Sequence, residues 1–173
     1  MYRKNVCVVI FNEDLHFLGC QRIHQTEYQF VQGGVESEED GHDVLRAAYR
    51  EVREEIGLDP QALCFVAEIP PPNNDPHAFR YTLRPGANLR RFGYIGQEQR
   101  LLLFFTPAQN INKMCLIPPP DSGALQEFTH VAWMTIDDIL KCCPAEKRHI
   151  FHAVATLAPP LARAFLQKRA STL

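Results

Sequence analysis

The residues best equipped for chemistry in this chain are three glutamates, Glu51, Glu54 and Glu55. On a helix, side chains three and four positions apart share a face, so these carboxylates converge beside one surface. Like charges at that spacing repel and weaken a helix unless something positive offsets them. Arg50 and Arg53 are expected to supply part of the offset, and divalent cations the rest. Clustered carboxylates suit Mg²⁺ or Mn²⁺, hard cations that take oxygen ligands. Bound, such ions can offset developing negative charge and lower the pKa of a bound water. A solvated acidic helix face with arginine counter-charges is the plainer alternative, and the three glutamates alone favour it.

The element that must position these groups is an amphipathic helix over residues 42–56. Val44, Ala48, Val52 and Ile56 recur at helical spacing and form the expected buried stripe. Gly57 is the expected left-handed cap, and Asp59-Pro60 prevents continuation.

The run Arg50-Glu51-Val52-Arg53-Glu54-Glu55-Ile56-Gly57-Leu58 fits, position by position, Arg-Glu-apolar-x-Glu-Glu-x-Gly-apolar. In this it resembles the second half of the Nudix box, the signature of the Nudix hydrolases. The first half departs. Gly33 lies three residues too far from Arg50, and His42 stands where the pattern has glutamate. Glu36, Glu38, Glu39 or Asp40 is expected to supply that carboxylate from a longer loop.

Length and composition set the bounds. A chain of 173 residues fits one domain, expected over 1–173, large enough for a real core. With 46% hydrophobic and 22% charged residues it reads as a water-soluble globular protein. A formal net charge of −2 gives no global attraction to nucleic acid or membrane. The six cysteines lack metal-type spacing and are expected to be reduced thiols. No apolar run is long enough to span a bilayer, and the first strand leaves no room for a targeting peptide, so a cytoplasmic protein is expected; the sequence leaves the oligomeric state unknown, with a monomer favoured.

Along the chain, strands are expected at 5–11, 15–20, 63–69, 78–83, 101–106, 111–117 and 128–134, with 28–32 running extended into Gly33-Gly34. Thr135 caps a short helix. Pro144 opens a longer one, with Ile150, Phe151, Val154 and Leu157 facing the core and Pro159-Pro160 ending it. This pattern predicts an α/β fold with a mixed sheet packed between helices. The Nudix resemblance implies an α/β/α sandwich with the box helix over the sheet.

Further strings carry the resemblance across the chain: Tyr2-Arg3-x-Asn5-Val6, Tyr28-Gln29-Phe30 before Gln32-Gly33-Gly34, Gly96-Gln97-x-Gln99, Glu127-Phe128 before Trp133, and Lys147-Arg148. Together they are similar to the branch of bacterial RNA pyrophosphohydrolases and dinucleoside tetraphosphate hydrolases. The resemblance implies metal binding by Glu51, Glu54, Glu55 and Glu127, with two or three ions once substrate is bound. It implies water activation by Glu51 and a carboxylate-orienting role for Arg50. Substrate contacts are implied for Arg22, Gly33, Gly34, Tyr81, Gln97, Gln99 and Lys147. Taken alone, Glu127 reads as a solvated loop glutamate.

Residues 80–100 hold five arginines and one acid, interleaved with Tyr81, Phe92 and Tyr94. Arginine offers bidentate phosphate recognition and aromatic rings stack on bases. The segment is therefore expected to bind substrate more than it shapes the fold. The implied function is metal-dependent pyrophosphohydrolysis of a nucleotide-terminated polyphosphate, either a 5′-triphosphorylated RNA end or diadenosine tetraphosphate. Two alternatives stand beside it: a nucleotide- or RNA-binding module that no longer turns over, and an inositol polyphosphate pyrophosphohydrolase.

Overall fold

The computed structural model describes residues 1–172, apart from the side chains of Ser37 and Glu39. Two long strands, β1 (Tyr2–Phe11) and β7 (Gly96–Phe105), lie parallel at the centre of an eight-stranded mixed sheet. Their outer edges are shared. β1 pairs antiparallel with β4 (Val31–Gly34) along Asn5 to Val8, and with β2 (Phe17–Arg22) at its far end. β7 pairs with β6 (Arg80–Thr82) at its start and with β5 (Cys64–Ile69) further on. β3 (Tyr28–Gln29) and β8 (Phe128–Met134) flank β2.

Period-two alternation decides what each sheet face meets. Val6, Val8, Ile10, Leu102 and Phe104 pack under α2 (Val44–Ile56), which contributes Ala47, Ala48, Val52 and Ile56. Cys7, Val9, Phe11, Leu101 and Leu103 pack under α3 (Ile136–Cys142) and α4 (Arg148–Ser171). A short helix, α1 (Ser37–Asp40), precedes α2. On the face toward α4 the strand starts are polar: Asn5 precedes Cys7, and Gln97 and Gln99 precede Leu101. That switch from amide to hydrocarbon leaves a polar cavity at one end of the core.

Several expected boundaries move. α2 begins at Val44 because Asp43 caps it, accepting from Leu45 N at 2.9 Å and Arg46 N at 3.5 Å. His42 lies before the helix at a positive φ of 63°. Val44 is only partly buried, and Ala47 takes its place in the stripe. Leu15 sits in the turn before β2. Residues 111–117 form no strand. A 3₁₀ turn (Ala108–Lys113) leads into a crossing over the end of α2, where Cys115 N donates to Ile56 O at 2.9 Å. A helix carbonyl thus satisfies this backbone where a strand partner was expected. Pro159 and Pro160 do not end α4, because Ala158 and Ala162 on either side are fully buried against the sheet. Tertiary packing there outweighs two lost amide donors. Ahead of α4, Pro144 opens a 3₁₀ turn (Ala145–Lys147), and Leu157 is half-buried. No helix among the described residues is long and apolar enough to cross a membrane.

Candidate active site

The Gly33-Gly34 corner of β4 lets two charged side chains approach the backbone. A Cβ at Gly33 would fall 1.9 Å from the Glu51 carboxyl carbon, and one at Gly34 would fall 2.1 Å from Arg3 Nη2. Any larger residue at either position would displace those groups.

Beside this corner, α2 holds its acids from behind through Arg50. The guanidinium donates to Asp40 at 2.9 and 2.8 Å, to Gly34 O at 2.9 Å and to Glu51 Oε1 at 2.9 Å. A longer contact of 3.4 Å reaches Glu54. Asp40, almost wholly buried, thereby takes the place of the glutamate missing at His42. Burial alone would push its carboxyl up. The Arg50 hydrogen bonds and the Glu36 N–H, which donates at 2.8 Å, outweigh that and hold it below its ordinary value. Glu36 pairs with Arg3 at 2.5 Å, and the Glu39 side chain lies outside the described residues. Arg53 points elsewhere, to Asp121 at 3.5 Å, and does not offset the helix glutamates.

The three glutamates divide between two hollows. Glu51 and Glu55 face a cavity of about 620 Å³, whereas Glu54 faces a second of about 550 Å³ that also meets Arg3 and Glu51. Glu55 Oε2 is buried without a hydrogen-bond partner. Burial pushes the Glu55 carboxyl well up, and the charges of Glu51 and Glu127 push it further. Burial also carries Glu51 up to about 7, against the pull of Arg50.

The cations Arg22 and Lys147 line the same cavity. Arg22, at the end of β2, donates to Glu127 Oε2 at 2.7 Å. Lys147 is buried just before α4, donates to Gln29 Oε1 at 2.7 Å and lies 4.8 Å from the Tyr81 ring centre. Burial lowers its ammonium to about 8. The floor is a closed ring of hydrogen bonds. Asn5 Nδ2 donates to Gln97 Oε1 at 2.8 Å, and Gln97 Nε2 donates to the Tyr81 hydroxyl at 2.5 Å. That hydroxyl donates to Gln32 Oε1 at 3.3 Å. Gln99 Nε2 closes the ring with bonds to Gln32 Oε1 at 2.6 Å and Asn5 Oδ1 at 2.8 Å. Gln99 supports this floor from behind and does not line the cavity.

Most arginines of residues 80–100 serve the fold. Arg80 pairs with Glu98 at 2.7 Å and lies over the Tyr2 ring, Arg100 pairs with Glu68 at 2.6 Å, and Arg90 donates to backbone carbonyls. Tyr81 and Gln97 are buried members of the floor, not exposed loop residues, because β7 begins at Gly96. Arg84 spans the cavity mouth between Glu27 at 3.0 Å and Glu146 at 2.9 Å.

The donor set fits a divalent cation chemically: buried carboxylates, one with an unpartnered oxygen, are hard ligands in want of positive charge. Among the described residues, however, no three such groups converge on one point, because Arg50 draws Glu51 and Glu54 toward itself.

Sequence reasoning gave no individual role to Asn5, Gln29 or Gln32, and counted Arg84 only among the arginines of residues 80–100. The strings that contain Gln29 and Gln32 were visible beside the glycine corner. Which way an amide faces is a tertiary matter that spacing does not encode.

The NUDIX domain matches residues 1–154 of this chain, so the chain belongs to the Nudix family of hydrolases. An RNA pyrophosphohydrolase of Francisella tularensis subsp. mediasiatica (strain FSC147) is 44% identical over 66 residues, 38% of this chain and 41% of that protein. One from Marinomonas sp. (strain MWYL1) is 42% identical over 59 residues, 34% of this chain and 35% of that protein. The chain thus spans about two fifths of the length of these curated relatives. Among solved structures, the E. coli dihydroneopterin triphosphate pyrophosphohydrolase aligns with a TM-score of 0.57 at 18% identity, covering 88% of this chain and 95% of that one. A C. elegans Ap4A hydrolase aligns with a TM-score of 0.52 at 18% identity, covering 96% and 98%. At that identity the likeness is one of fold: the mixed sheet between helices is the Nudix α/β/α sandwich.

Proposed function

We propose that this chain hydrolyses a phosphoanhydride bond in a nucleotide-terminated polyphosphate, with a 5′-triphosphorylated RNA end as favoured substrate and diadenosine tetraphosphate as second. One observation carries the reading: a single cavity of about 620 Å³ sets the carboxylates of Glu51, Glu55 and Glu127 against Lys147, Arg22 and a floor of amides. That volume suits one terminal nucleotide with its phosphates. Neutral amides beside a buried phenol suit a base and its phosphates better than the dense charge of an inositol polyphosphate. Relatives named RNA pyrophosphohydrolase support the RNA end.

Nudix hydrolases generally use divalent metals such as Mg²⁺. Here Glu51, Glu55 and Glu127 would hold the metal, with Glu54 joining from the far side of Glu51; bound, it supplies charge compensation to the phosphates. Glu51 takes the proton from the attacking water. The water oxygen bonds to the α-phosphorus as its anhydride P–O bond to the β-phosphate breaks, and the proton held by Glu51 passes to the departing pyrophosphate. Arg22 and Lys147 hold phosphate oxygens, and Arg50 fixes Glu51. The free thiols of all six cysteines accord with a cytoplasmic setting.

The test is a panel of triphosphorylated RNA, diadenosine tetraphosphate and inositol polyphosphates, each with Mg²⁺ or Mn²⁺ and products identified by mass. Monophosphorylated RNA plus pyrophosphate is the expected outcome. Turnover of inositol polyphosphates alone, or tight RNA binding without turnover, would overturn it.

A further inference from the structure

Two glutamines in the cavity turn their oxygens inward. Gln29 Oε1 accepts from Lys147 Nζ at 2.7 Å, and an ammonium offers only donors, so the amide oxygen must face it. Gln32 Oε1 accepts from Gln99 Nε2 at 2.6 Å and from the Tyr81 hydroxyl at 3.3 Å. Each glutamine therefore has its acceptor committed to the protein, while its NH₂ group makes no hydrogen bond among the described residues. Gln29 is 2% exposed and Gln32 partly buried, yet neither NH₂ is fully enclosed: among the described residues, the one fully buried side-chain nitrogen or oxygen without a partner is Glu55 Oε2. Both glutamines line the cavity. Gln32 directly precedes Gly33, against which Glu51 packs, and Gln29 lies at Lys147.

We propose that the Gln29 and Gln32 side-chain amides form a neutral donor track that binds the phosphate chain between the Glu51–Glu55 wall and Lys147. A surface that offers only N–H groups selects acceptors, and phosphate oxygens are the strongest acceptors on a nucleotide polyphosphate. Uncharged donors have a second consequence. They hold the chain without adding cations that would pair with Glu51, Glu55 or Glu127. The inference rests on the reading of the cavity as a polyphosphate site.

Replacement by glutamate separates the track from a structural role. Gln29→Glu and Gln32→Glu keep an oxygen for the inward donors, so they preserve, and at Lys147 strengthen, the contacts that build the cavity. What each removes is the outward NH₂, but each also adds a charge, so Gln29→Met and Gln32→Met, which remove the NH₂ without adding one, must lose triphosphate binding per folded molecule as well. Calorimetry with a methylene-bridged nucleoside triphosphate and Mg²⁺ measures binding without cleavage at the bridged bond. Each variant is expected to weaken binding about tenfold or more, as for loss of a hydrogen bond to a charged group, with unchanged melting temperature. Adenosine, which lacks phosphate, should bind each variant as it binds wild type. Unchanged or tighter triphosphate binding by folded variants would overturn the track, and so would an equal loss of adenosine binding, which would assign the donors to the base. If one variant does not fold, the other answers the question, since the glutamines sit on separate strands. Turnover of the RNA substrate, measured alongside, reports on the proposed function independently. Wild type that binds the analogue but cleaves none of the panel would refute the hydrolase reading and leave the track standing.

Discussion

Asp40 grips Arg50 with two nearly parallel hydrogen bonds of 2.9 and 2.8 Å, and Arg50 passes that anchorage to Glu51 at 2.9 Å. A carboxylate from the lengthened loop thus fixes the orientation of a helix carboxylate it never touches. Asp40→Asn keeps the shape, removes the charge and leaves Arg50 half-buried beside neutral amide. A stability loss of about 3 kcal/mol is expected, the low end for breaking a buried pair, since Glu51 and Glu54 still hold Arg50. Denaturant melts give that number. The kcat should fall more than KM changes, because Glu51 is misaligned while the cation side of the cavity is untouched. A KM effect alone would show that Asp40 only shapes the loop.

Glu55 presents the sharpest conflict between stability and function, with a buried, unpartnered oxygen among like charges. Glu55→Gln should raise metal-free melting temperature slightly, as repulsion from Glu51 and Glu127 falls, and lower turnover by at least ~100-fold. Near-normal activity in the folded variant would remove Glu55 from the site.

The same crowding sets a pH dependence. Burial raises Glu51 from 4.5 to about 7, so in that interval the folded protein holds a proton that the unfolded chain has released. Metal-free stability should accordingly be greatest below the unfolded value and decline as pH rises through the folded one. Asp40 works in the opposite sense, since its folded value is depressed. Its contribution is lost only as pH falls below about the unfolded 3.8, outside this window. Melts in EDTA from about pH 5 to 8 should fall steadily, and Mg²⁺ should flatten the trend. A flat EDTA profile would show that the acid wall is not destabilised by its own charge.

How much of this was legible depended on the range of the interaction. The box helix is written locally, in the apolar stripe of Ala48, Val52 and Ile56 and the cap at Gly57, and it stands. Asp40 was one of four candidate acids, and among the described side chains folding brings it to Arg50, because the Gly34 carbonyl and the corner of β4 fix where Arg50 reaches. The path of residues 111–117 was misread for a like reason: Ile111, Met114 and Leu116 signal burial, but the partner is the end of α2 and not a strand. Residues 80–100 looked like a basic binding loop because Glu27, Glu68 and Glu146, which neutralise Arg84 and Arg100, are distant in sequence.

Tyr81 must now be tested differently from an exposed loop aromatic. At 6% exposure, its replacement by alanine would open a cavity and cost about 3 kcal/mol or more, obscuring any binding effect. Tyr81→Phe removes only the hydroxyl, which burial keeps protonated by pushing it up to about 12. That deletion frees one acceptor on Gln32 and one donor on Gln97. The expected result is a modest fall in melting temperature and a several-fold rise in KM with kcat maintained. An unchanged KM would make the ring purely structural.

Glu127 lies where its charge is felt by Glu55 on one side and is paired with Arg22 at 2.7 Å on the other. These effects oppose each other in Glu127→Gln. Repulsion on Glu55 is relieved, but a pair whose side chains are each 39% exposed is lost, and such pairs contribute only about 0–1 kcal/mol. Metal-free melting temperature should therefore barely change. Metal response should change clearly, because a ligand that binds only the folded state stabilises by mass action, and this variant lacks one of the carboxylates proposed to hold the ion. Melting curves with and without Mg²⁺ are expected to show a smaller metal-induced rise in Glu127→Gln than in wild type, together with lower turnover. Equal rises in the two proteins would place Glu127 outside the metal site and leave Glu51 and Glu55, with Glu54 from the second hollow, to bind the cation.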